Sequence, residues 1–103
     1  MGKLVEVAKT DEIAPGEAKA AEVEGETIAI FNLDGEYYAI DDTCPHALGP
    51  LSEGEIEGGV VICPWHASEF DIKTGEVLCP PAAQWVRSYK IHVEGDTIKI
   101  EIE

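Results

Sequence analysis

The sequence predicts an all-β chain built from antiparallel strands. Three observations predict it. Asp34-Gly35 and Glu94-Gly95-Asp96 each stand between runs rich in β-branched and aromatic residues, the signature of a hairpin. Thr27 to Leu33 (TIAIFNL) is apolar at successive positions, as in a strand buried on both faces. Ile91 and Val93 alternate with Lys90, His92 and Glu94, the period of two of a half-buried strand. No segment carries the apolar period of a helix of normal length.

The elements follow in order. Leu4, Val5 and Val7 begin a first strand, and Ile13-Ala14-Pro15-Gly16 turns into a second extended stretch near Ala18 to Val23. Thr27 to Leu33 is the central strand, turned at Asp34-Gly35 into Tyr37 to Ile40. Cys44 to Leu51 is loop. Val60 to Ile62 is a short buried strand leading into Cys63. Ser68 to Ile72 is another strand, which Lys73-Thr74-Gly75-Glu76 turns back into Val77 and Leu78. Tyr89 to Val93 and Thr97 to Ile100 form the last hairpin. Trp85, Tyr37 and Tyr38 are expected in the core or on a sheet, and His92 on an exposed polar face. Residues 43 to 83 hold five of the six prolines and five of the ten glycines. That shift of texture marks a subdomain, about 43–83, inserted in a small β scaffold within one domain, 1–103.

At 103 residues the chain has room for one core and no second catalytic domain. Its 45% hydrophobic content is that of a globular chain. No apolar run approaches the ~20 residues of a membrane-spanning helix. The start, MGKLVEV, lacks a signal-peptide pattern, and Glu6 stands where myristoylation wants Ser or Thr. A cytoplasmic location is the expectation. The net charge of −14 opposes binding to nucleic acid or anionic membranes and suits a partner with a basic face.

The chemistry lies in Cys44-Pro45-His46 and Cys63-Pro64-Trp65-His66. Each of two short loops offers one thiol and one imidazole, and 16 residues separate His46 from Cys63. Such a set can hold a [2Fe–2S] cluster asymmetrically, thiolates on one iron and imidazoles on the other, which raises the reduction potential. Zinc also takes two Cys and two His, but its usual clamp begins with two Cys on one turn, and mixed pairs fit that poorly. The thiols must ionise and the imidazoles must be neutral to donate. Pro45 and Pro64 stiffen the loops and donate no N–H. Cys79 is left without a disulfide partner, which suits a reducing compartment, and packs more simply as a small hydrophobe. What remains assembles no nucleophile–base set and no mononuclear 2-His-1-carboxylate iron site.

The spacing C-x-H, 16 residues, C-x-x-H, with Pro after each Cys, resembles the Rieske iron–sulfur family over nearly the whole chain. The resemblance implies a Rieske fold: antiparallel sheets carrying a cluster-binding subdomain whose two loops grip one [2Fe–2S] cluster. The implied ligands are Cys44, His46, Cys63 and His66. High-potential members add a Cys to each loop and join them by a disulfide; Gly49 and Trp65 occupy those positions here. They also place a Ser and a Tyr after the second pair. Ser68 matches the Ser, while Phe70 replaces the Tyr. This chain is therefore similar to the low-potential ferredoxins that serve oxygenases. Pro80 belongs to a proline-rich stretch that covers the cluster in the family, and Trp65 shields the cluster or offers an aromatic contact.

The resemblance implies a soluble one-electron carrier, not an enzyme. It would pass electrons from an NAD(P)H-dependent flavoprotein reductase to a terminal oxygenase, docking transiently at a tip formed by His46 and His66. Leu48, Pro64, Trp65 and Pro80 would form an apolar rim there, ringed by Asp41, Asp42, Glu53 and Glu55. The alternatives are the small subunit of an assimilatory nitrite reductase, which shares this fold, and a Rieske domain of another oxidoreductase.

Overall fold

The computed structural model describes residues 3–43, 50–64, 68–79 and 85–102. These contain eleven strands: β1 (Lys3–Lys9), β2 (Ala18–Val23), β3 (Glu26–Leu33), β4 (Glu36–Asp41), β5 (Glu55–Glu57), β6 (Val60–Ile62), β7 (Glu69–Asp71), β8 (Val77–Cys79), β9 (Ser88–Tyr89), β10 (Ile91–Glu94) and β11 (Thr97–Ile102). The only helical pieces among the described residues are two 3₁₀ turns, Thr10–Glu12 and Leu51–Glu53. The strands form three antiparallel sheets, ordered β1-β11-β10, β2-β3-β4-β9 and β5-β6-β7-β8.

β3 explains the layering. Its alternate residues are apolar on both faces, so both faces must be covered. Ile28 and Ile30 pack with Ala8, Ile98 and Ile100, residues of the first sheet. Ala29 and Phe31 pack with Leu51, Val61, Cys63, Phe70 and Ile72, on the side of the third sheet. The β2-β3-β4-β9 sheet thus lies between two cores. Burying each large aliphatic or aromatic side chain contributes about 1.5–3 kcal/mol, and the four β3 residues are fully buried.

The central hairpin is held by its turn. Asp34 and Gly35 have φ of 55° and 91°, the left-handed pair that a tight two-residue turn requires. Buried Asn32 fixes the approach: its Nδ2 donates to the Ile13 carbonyl at 2.8 Å, and its Oδ1 accepts the Gly35 N–H at 2.8 Å. Asn32 thereby joins the second turn of the chain to the central hairpin.

Four readings of the sequence are corrected. The strand expected over Tyr89 to Val93 divides at Lys90. β9 pairs with β4, whereas β10 pairs with β11, so the chain changes sheets at that residue. β5 was not expected. It pairs with β6 through a turn at Gly58 and Gly59, with φ of 55° and 87°. Trp85 is 62% exposed and is not a core residue. His92 is half-buried rather than free on a polar face, its Nε2 lying 3.3 Å from Glu101 Oε1. On the same strand Val93 is exposed.

Candidate metal centre

Cys63 directly follows β6 and is buried, with no disulfide. Its N–H donates to the Ser68 carbonyl at 2.7 Å. That bond joins residues 63 and 68 just beyond the β6–β7 pairing, which ends at Ile62 and Glu69. Ser68 is fully buried, as is Phe70. Cys63 and Phe70 belong to one apolar cluster with Val61, Leu51 and Phe31. The structure therefore gathers three of the sequence-derived site residues, Cys63, Ser68 and Phe70. Cys44, His46, Trp65, His66 and Pro80 lie outside the described residues, as do Leu48 and Gly49.

Thr43 and Pro50, on either side of residues 44–49, pair in an antiparallel bridge and form a stem. Asp42 secures this stem three times. Its N–H donates to the Thr27 carbonyl at 3.1 Å, and its carbonyl accepts the Leu51 N–H at 2.6 Å. Its Oδ1 accepts the Ser52 N–H at 2.7 Å. Asp42 is buried, so it is no member of the charged ring expected around the site. It is a fastener between β3 and the chain leaving the first loop. Its carboxylate accepts a backbone N–H of the part-buried stem, a charge-assisted bond.

The two stems touch. Gly54 lies so close to Ile62 that a Cβ built on it would stand 2.1 Å from the Ile62 carbonyl oxygen. The exit of the first loop and the start of the second are therefore neighbours, and Glu55 pairs with Ile62 in register. Sequence reasoning missed Gly54 and Asp42. A glycine outside any turn signal and an Asp in an acidic chain carry no local mark of such roles.

A second fastener sits beside the first stem. Asp41 accepts the Arg87 N–H at 3.1 Å, Arg87 Nε at 3.2 Å and the Tyr89 hydroxyl at 2.6 Å. Arg87 also pairs with Glu26. Burial, then the bond to Asp41, pushes the Tyr89 phenol well above its ordinary value. Glu26 first, then Asp41, holds Arg87 in its charged form. Asp41 is thus engaged as well, which leaves Glu53 and Glu55 as the exposed members of the expected acidic ring.

The donor chemistry fits an iron–sulfur group. Cys63 offers a soft sulfur, buried and outside any disulfide, at the junction of two loop stems. Among the described residues no three His, Cys, Asp or Glu side chains gather into a different metal site.

The Rieske [2Fe-2S] domain model matches residues 3–90. The chain belongs to this family. It accordingly carries one Rieske-type [2Fe–2S] cluster. It is 34% identical over 100 residues to the ferredoxin component of the naphthalene 1,2-dioxygenase system of Pseudomonas aeruginosa, covering 97% of this chain and 96% of that one. It is 46% identical over 76 residues to the 3-phenylpropionate/cinnamic acid dioxygenase ferredoxin subunit of Escherichia coli K12, covering 73% of this chain and 72% of that one. Among solved structures it is similar to the ferredoxin of carbazole 1,9a-dioxygenase from Nocardioides aromaticivorans, with a TM-score of 0.91 and 31% identity over 95% of this chain and 96% of that one. A further similar ferredoxin is solved in complex with the oxygenase of a carbazole 1,9a-dioxygenase. Nitrite reductase small subunits are similar too, at 24% identity or less, which shows a shared fold alone.

Proposed function

We propose that this chain is the Rieske ferredoxin of an oxygenase system. It accepts one electron from an NAD(P)H-dependent flavoprotein reductase and delivers it to a terminal oxygenase, in the cytoplasm. Near full-length similarity to ferredoxin components of dioxygenase systems carries the reading. Those relatives are electron-transfer components, so this chain's role is carriage rather than catalysis of its own. The low identity to nitrite reductase subunits gives that alternative no comparable support.

In this reading Cys44 and Cys63 hold one iron, and His46 and His66 hold the other. The bound cluster supplies reversible one-electron chemistry. The chain supplies the surroundings. β6 and the Cys63–Ser68 bond fix one thiol. Asp42 and the Thr43–Pro50 bridge fix the stem from which Cys44 and His46 extend. Buried Phe70 keeps water from the inner side. The two imidazoles form the exit to the partner. A small contact at that tip suits a complex that must form and separate on every turnover.

Two measurements test this. Purified protein should hold about two irons and two acid-labile sulfides per chain, as the cluster class requires. After reduction by a flavoprotein reductase, stopped-flow mixing with a dioxygenase should oxidise it in a single turnover. Stoichiometric zinc without labile sulfide, or no transfer to any oxygenase tried, would refute the reading.

A further inference from the structure

The charge of this chain is unevenly matched. Every ion pair among the described residues joins groups at positions 3–41 or 87–101: Lys3–Glu24, Lys9–Glu6, Lys19–Glu12, Arg87 with Glu26 and Asp41, His92–Glu101 and Lys99–Glu94. Residues 42–86 contain seven carboxylates and one cation, Lys73. That cation stands over the Tyr38 ring, 5.6 Å from its centre. The β5-β6-β7-β8 sheet therefore carries negative charge that no described ion pair offsets.

The register places that charge. Ile56, Val61, Phe70 and Val77 stand opposite one another and face the core. The alternate residues must face outward. They form two rows across three strands: Glu55, Ile62 and Glu69, then Glu57, Val60 and Asp71. Val60 and Ile62 are partly exposed, and neither packs on the core. The outer face is thus an apolar ridge on β6, with carboxylates on the strands to either side. Neighbouring strands lie about 4.8 Å apart, so the two acidic lines are about 10 Å apart. The ridge ends one residue before Cys63.

We propose that this outer face docks the terminal oxygenase through a basic surface: a shallow apolar groove for Val60 and Ile62, with Lys or Arg about 10 Å apart on its two sides. The assignment rests on the carrier reading above and extends it to a surface along the sheet, which ends beside Cys63. Opposed charges at the rim speed encounter and fix orientation, while the apolar strip supplies close contact without a permanent complex.

The test compares two double variants of the cluster-loaded protein with the same change of net charge. One is Glu55→Lys with Glu69→Lys, on the proposed face. The other is Asp11→Lys with Asp96→Lys, exposed carboxylates at the end of the first sheet, across the middle sheet from the ridge. Single-turnover transfer to the oxygenase is measured against ionic strength, with the visible spectrum and reduction potential as checks that the cluster is intact. The face variant should transfer about tenfold more slowly at low salt, the lower end of what steering provides. Its salt dependence should flatten, while the potential stays unchanged. The control variant should remain within a factor of about two of wild type, the residue left to net charge. Equal losses in both variants, or slowing only of reduction by the reductase, would overturn the assignment while leaving the carrier reading intact. A wild-type protein that transfers to no oxygenase would overturn both.

Discussion

Gly54→Ala is the sharpest single perturbation of the site that leaves every proposed ligand in place. The added Cβ would lie 2.1 Å from the Ile62 oxygen, 3.1 Å from its carbon and 3.2 Å from the Leu51 oxygen. All three are backbone atoms, so no side chain can rotate away. Nor is the backbone at fault, since Gly54 has φ of −79°, which any residue adopts. The cost is steric. Relief needs a displacement of about 1 Å, either of Ile62 or of the turn holding fully buried Leu51. Overpacking of this kind costs about 1–3 kcal/mol. At this chain length each kcal/mol lowers the melting temperature by about 4–8 °C. The displacement also falls where the two loop stems meet, so iron content should drop along with stability. Gly58→Asn is the comparison: nothing lies within 4 Å of its Cβ, and Asn tolerates the φ of 55° there. Thermal unfolding and iron per chain are the readouts. A Gly54→Ala protein with wild-type melting and full iron would refute the claim that this contact sets the spacing of the stems.

Phe70→Tyr should raise the reduction potential if its hydroxyl reaches the buried Cys63 sulfur. If it does not, the stranded hydroxyl costs about 1–3 kcal/mol of stability instead, and voltammetry with unfolding curves separates the two outcomes. Ser68→Ala should lower the potential; an unchanged value would make this serine a plain buried residue. The wild-type potential should fall in the lower half of the Rieske range of roughly −150 to +300 mV. Cys63→Ser should abolish iron and sulfide binding and weaken amide protection over 50–79, while β1, β10 and β11 keep theirs, because their core contains no residue between 42 and 86. Above about pH 10 the unfolded chain loses its tyrosine protons while folded Tyr89 retains its own, so stability falls as pH rises. Tyr89→Phe should make that alkaline decline shallower in pH-dependent unfolding.

The legible parts of the sequence were those whose signal is local. β2 was read with its observed limits because Ala18 to Val23 is bounded by turn residues on both sides. β3 was legible because seven nearly apolar residues in succession demand two covered faces. The second loop is legible in Cys63-Pro64-Trp65-His66, of which residues 65–67 lie outside the described ones; the structure brings Cys63 together with Ser68 and Phe70. What stayed hidden depends on partners far along the chain. Glu55-Ile56-Glu57 has a single apolar residue and becomes a strand only through its pairing with β6. Tyr89 to Val93 reads as one alternating run, yet Tyr89 is drawn to Asp41 and Ile91 to Ile100, which breaks it at Lys90. Trp85 reads as a core or sheet residue, and it is exposed and outside the strands.

The placement of the site follows from β3 having two covered faces. One face seals the middle sheet against β1 and β11 with no residue of the loop region, so that core is complete without metal. The other face meets Leu51, Val61, Cys63 and Phe70, all supplied by the chain that carries the two loops. Here the apolar core and the proposed ligand set share a residue, Cys63. A thiol that is both a packed core atom and a metal donor cannot move far when charge changes, because the interior around it is close-packed. A carrier needs that property. Little rearrangement between its two redox states keeps transfer fast, and the fold suits it by anchoring one proposed donor in the core, beside stems fastened by Asp42 and Gly54.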